Sequence, residues 1–140
     1  MHNDNHPFPR RESSNRTSSV LKAGIQAMDN QTKEALAVIA KLSSDPTHIL
    51  PVLEKCTEVY NAILESDQRS IEAIDNRNHV QLSTELGANV ENALCCDDEF
   101  TNVKVESPTR EMDALLGKII TNTFSIGFDM VHFWKYGLKG

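Results

Sequence analysis

The sequence predicts an all-α protein, an antiparallel up-down-up-down four-helix bundle behind a disordered N-terminal tail. Three observations carry that reading. Apolar residues recur at alternating steps of four and three in four successive segments. The connections between those segments are short, which makes consecutive helices antiparallel neighbours. No segment shows the two-residue alternation of a half-buried strand. The chain divides into a polar tail over residues 1–18, a bundle over 19–135 and a frayed end over 136–140.

Residues 1–18 are rich in His, Asn, Ser and Arg, with Phe8 the one aromatic. They lack the apolar stretch of a secretory leader and read as a solvated tail. The first helix carries Leu21, Ile25, Met28, Thr32, Ala35, Ile39 and Leu42 on one seam. Asp45-Pro46 stops it, because a residue before proline is pushed out of the α region. The second helix starts near Pro51, whose missing N–H costs nothing in a first turn. Its seam is Leu53, Cys56, Tyr60, Ile63, Asp67, Ser70 and Ile74, and Asp75-Asn76-Arg77-Asn78 forms the turn that follows.

The third helix repeats the spacing with Leu82, Leu86, Asn89, Ala93, Cys96 and Phe100, with Val90 beside the seam. Pro108 opens the fourth, whose seam is Met112, Leu116, Ile119, Thr123, Ile126, Met130 and Phe133. Its last turns, Phe124 to Trp134, are apolar on more than one face. A single core stripe does not need that surplus. It either covers the open end of the bundle or meets a partner, self-association included.

At 140 residues, 39% hydrophobic and 24% charged, the chain has one domain's worth of core. Its net charge of −6 argues against nucleic acid or anionic lipid as the main partner, since both demand clustered Lys and Arg. No apolar run is long enough to span a membrane.

Among three cysteines, Cys56 and Cys96 lie 40 residues apart with their midpoint at residue 76, inside the second turn. In an antiparallel hairpin, residues equidistant from the turn lie side by side, and both cysteines share the core phase. Cys95 is rotated by about 100° from Cys96. The expected bridge is therefore Cys56–Cys96, with Cys95 spare; two buried reduced thiols are what a cytosolic location would give instead.

Catalysis needs convergent polarised groups, and none is evident. His48, His79 and His132 occur singly. The run Asp97-Asp98-Glu99 sits at a helix end and reads as a solvated surface, or as part of a partner-facing patch. Asp67, on a seam, is expected to be satisfied by Thr32 or Asn89. No enzyme activity, cofactor or metal is expected.

The stretch CTEVYNAIL from Cys56, followed by Cys96-Asp-Asp-Glu-Phe100, resembles the plant invertase and pectin methylesterase inhibitor family. Members carry Cys-x3-Tyr-x-x-Ala on one bundle helix and Cys-x3-Phe on the next. Cys56, Tyr60 and Ala62 match, with the alanine displaced by one place, and Gly87-Ala88 stands near a Ser-Ala-Ala stretch. Val105-Glu-Ser-Pro108-Thr is similar to the pollen-allergen-like branch, and the likeness covers residues 18–132. The resemblance implies an inhibitor that docks a helical face on a plant cell-wall enzyme, pectin methylesterase or acid invertase.

It marks Tyr60 and Phe100 as structural signature residues and suggests His79, Gln81, Asp97 and Asp98 as partner-facing. Relatives also carry a leader and a hairpin closed by its own disulfide, so this chain reads as an N-terminally truncated member. Its location is the apoplast by resemblance and the cytoplasm by its amino terminus. Where invertase inhibitors have Pro-Lys-Phe between the cysteine-bearing helices, this sequence has His79, Val80 and Gln81.

Overall fold

A computed structural model describes residues 10–44 and 49–136. Four helices account for nearly all of them: α1 (Arg10–Ser43), α2 (Leu50–Asp75), α3 (His79–Asn102) and α4 (Arg110–Tyr136). Each packs against two neighbours, closing a ring in the order α1–α2–α3–α4. Contacts run antiparallel throughout. Ser18 near the start of α1 reaches Met130 near the end of α4, and Lys22 pairs with Asp75 at the end of α2.

The boundaries follow local chemistry. Pro51 sits in the first turn of α2. Helix α2 ends with Arg77 at φ 51°, Asn78 N–H bonded to Ala73 O at 2.9 Å and Arg77 N–H to Ile74 O at 3.2 Å. That is a Schellman motif built without glycine. The same pair of bonds closes α3, where Lys104 has φ 59° and Val105 N–H reaches Phe100 O at 3.1 Å. Asn78 then caps α3, its side-chain oxygen accepting from Gln81 N–H at 3.1 Å. Helix α4 begins two residues after Pro108, with Asp113 N–H bonded to Thr109 O.

Two expectations are corrected. Helix α1 begins at Arg10, so residues 10–18 belong to it and not to a tail. No proline or glycine follows Pro9 until Gly24, and half-buried Ser18 finds a partner on α4, so the helix extends outward from its packed part. Asp45-Pro46 and His48, like residues 1–9 and 137–140, lie outside the described residues.

The second correction concerns the phase of α4. The expected positions Met112, Ile119, Ile126 and Phe133 are half-exposed; Asp113, Leu116, Ile120, Thr123, Gly127, Met130 and Val131 face inward. Apolar residues occupy both adjacent phases of this helix, and the polar Asp113 and small Gly127 mark the deeper one. Gly127 lets α4 approach α3 closely there: a Cβ would meet a terminal methyl of Leu86 and force that side chain to move. The other three seams are buried as expected, apart from Leu42 at the end of α1, which is 36% exposed.

The core is divided. One cluster holds Met28, Ala35 and Ile39 with Leu53, Cys56, Tyr60, Ile63, Ala93, Cys96, Phe100, Leu116 and Ile120. The other, at the end bearing the α2–α3 turn, holds Leu21, Ile25, Ala73, Ile74, Leu82, Leu86, Met130 and Val131. Between them lies a buried polar layer drawn from all four helices: Asp29 and Thr32, Asp67 and Ser70, Asn89, and Thr123.

Candidate functional site

Cys56 and Cys96 form a disulfide with their Cα atoms 4.8 Å apart, fastening α2 to α3 inside the first cluster. Cys95 is the free thiol and is bonded to Glu91 O of its own helix. Tyr60 lies one turn beyond Cys56, fully buried, and its hydroxyl reaches past α3 to α4. It donates to Asp113 Oδ1 and lies 3.1 Å from Thr109 Oγ1, while Thr109 donates to Asp113 Oδ2 at 2.9 Å. Phe100 closes the same end of the core. Burial, and then the hydrogen bond to Asp113, pushes the Tyr60 phenol far above its ordinary range, so it stays a donor.

Asp113 and Asp97 face each other across the α3–α4 contact. Burial, followed by the contact with Asp97, raises the Asp113 carboxyl well above the usual carboxylate range. Beside this pair opens a groove of about 550 Å³ lined by Ala93, Leu94, Asp97, Ala114, Gly117 and Lys118 among others. Its walls are low because three of those residues are alanine or glycine, and Leu94 on its rim is 62% exposed.

Asp97 therefore does not belong to a wholly solvated run. It is half-buried with Oδ1 inaccessible, whereas Asp98 is exposed. His79 and Gln81 lie at the opposite end of α3, about 25 Å away at 1.5 Å per residue. The four suggested partner-facing residues thus form two separate groups. At the turn, Val80 is 65% exposed and Gln81 is tied to Asn78 through its backbone N–H and its side-chain oxygen.

Asp67 is partnered by Asn89 Nδ2 at 3.4 Å, as expected, but not by Thr32, whose hydroxyl bonds Met28 O of its own helix at 2.7 Å. Its other partner, Asp29, was not foreseen. Along α4, Phe124 stacks on Phe128 at 6.2 Å, and the His132 and Tyr136 rings meet at 4.7 Å in a tilted arrangement. Phe124 and Trp134 pack against the second cluster; Phe128 and Tyr136 remain exposed.

No group of three or more metal-ligating side chains occurs among the described residues, and no described helix is long and apolar enough to cross a membrane. The described residues form a disulfide-fastened, all-α bundle with shallow grooves on its outer faces. The family model for plant invertase/pectin methylesterase inhibitors matches residues 5–126, and the chain belongs to that family. Its members are inhibitors and not themselves enzymes. No curated protein matches the chain significantly.

Proposed function

We propose that this protein inhibits a plant cell-wall enzyme, with pectin methylesterase the favoured target, by laying one side of its bundle over the substrate cleft. Membership of the inhibitor family over residues 5–126 carries the reading. The α2–α3 pair supports it physically. The Cys56–Cys96 bridge makes that pair a rigid body, and a rigid docking surface loses little freedom on binding. Acid invertase is the less favoured target, because His79-Val80-Gln81 stands where invertase-directed relatives carry Pro-Lys-Phe and Gln81 is engaged in the cap of α3. The protein acts in the apoplast, an oxidising setting in which the bridge persists. His79 and Gln81 at one end of α3, and Asp97 and Asp98 at the other, are contact candidates for separate parts of the target. The exposed aromatic side chains of α4 are available for a second copy of the chain.

Titrating the protein against a pectin methylesterase and an acid invertase between about pH 5 and pH 7 tests the reading. Stoichiometric loss of esterase activity is expected, and no inhibition of either enzyme at micromolar concentration refutes it. Thiol counting on protein from its native tissue should find one reactive cysteine, and three would place the chain in a reducing compartment.

A further inference from the structure

Two carboxyl oxygens deep in this bundle, Asp67 Oδ2 and Asp97 Oδ1, are inaccessible and have no conventional hydrogen-bond donor. Each belongs to an aspartate that interacts with a second aspartate on another helix. Asp67 on α2 meets Asp29 on α1, and Asp97 on α3 meets Asp113 on α4. Two carboxylates cannot both be ionised at such a contact, but an acid–carboxylate pair sharing one proton makes a strong hydrogen bond. One proton per pair accounts for both orphan oxygens. From these contacts we propose that α1–α2 and α3–α4 are each closed by a proton-operated clasp, an Asp–Asp hydrogen bond that holds in acid and opens as its proton is lost.

The surroundings fit the assignment. Lys33, one turn beyond Asp29, pairs with Asp29 Oδ2 at 3.0 Å and brings a positive charge to the first clasp. Asn89 from α3 donates to Asp67 Oδ1, leaving Oδ2 to carry the proton. From α4 the layer receives uncharged Thr123. In the second clasp, Tyr60 from α2 and Thr109 donate to the two Asp113 oxygens, while burial and the contact with Asp97 raise the Asp113 carboxyl, whose proton is then shared with the orphan Asp97 Oδ1. Lys118 of α4 lines the neighbouring groove, and α1 contributes the uncharged Gln31 beside Met112 O. Burial, and then the contact with Asp29, raises Asp67 to about 8.

The direction of the pH effect follows. A carboxyl whose folded value is raised contributes stability that is complete below its unfolded value near 4 and is lost as pH rises through the folded value. The bundle should therefore weaken from acid toward alkaline pH and release protons on unfolding at neutrality.

Denaturant unfolding between about pH 5 and pH 9 tests this, together with carboxyl carbon NMR of the Asp side chains. The wild-type unfolding constant should rise at least about tenfold across that range. In the double variant Asp67→Asn, Asp97→Asn, amide N–H groups replace the shared protons, and the change should shrink to less than about threefold. Asp98→Asn, which removes an exposed charge, should keep the wild-type slope. By NMR, Asp67 should titrate above neutrality. A flat or rising wild-type profile, an unchanged slope in the double variant, or Asp67 titrating in the ordinary carboxylate range overturns the proposal. These readouts do not involve the target enzyme, so their failure is separate from a failure to inhibit.

Discussion

Tyr60 shows how one side chain ties distant parts of the chain together. Its ring fills the first cluster, while its hydroxyl joins α2 to Asp113 and Thr109, 53 and 49 residues further on. Tyr60→Phe keeps the ring but removes the donor, leaving a buried carboxyl oxygen without it. The expected cost is about 1–3 kcal/mol, lowering Tm on the order of 5 °C in a thermal melt. The position of Tyr60 was legible from its spacing to Cys56 along one seam. The partner of its hydroxyl was not, because that contact crosses the bundle and is made only when α4 folds back against α3 and α1. The same holds for Asp29: nothing in its own helical stretch distinguishes it from a solvated aspartate until Asp67 arrives from another helix.

At the scale of the helix, α4 separates what hydrophobic periodicity can decide from what it cannot. Its existence and approximate start were readable from Pro108 and the repeating apolar steps. Its rotation was not, since Met112, Ile119 and Ile126 are as apolar as the residues that face inward. The deciding contacts are made by Gly127 and Asp113, neither of which scores as a core residue. Two glycine substitutions on this one helix should therefore act in opposite directions. Gly127→Ala places a methyl against Leu86 and should destabilise by about 1–3 kcal/mol through overpacking. Gly117→Ala meets open space and should stabilise by about 0.5–1 kcal/mol, because alanine loses less backbone freedom on folding into a helix. Thermal unfolding of the two variants beside the wild type reads both signs.

For the whole molecule, the bridge was legible because helical phase and the turn midpoint both selected Cys56 and Cys96, and the ring of antiparallel neighbours followed from short connections. Legibility failed where a surface is assembled from separate places. The candidate contact residues were chosen along one helix, and the fold leaves them at its two ends. Replacing both bridge cysteines by serine should cost about 4 kcal/mol, the loop-closure entropy of a cross-link spanning 40 residues. The same loss should appear as a lower Tm in the wild type under reductant.

The buried polar layer interrupts the apolar continuity along the bundle. The bridge, Tyr60 and Phe100 all belong to the half containing the α3–α4 connection. The half with the α2–α3 turn is held by Leu21, Ile25, Leu82, Leu86, Met130 and their neighbours without any cross-link. The half without the cross-link should then open more readily than the other. Native-state hydrogen exchange should detect amides around Leu82–Leu86 and Met130 opening by a partial unfolding that leaves those around Cys56 and Cys96 closed. The molecule would fray from one end, like a rope whipped only at the other.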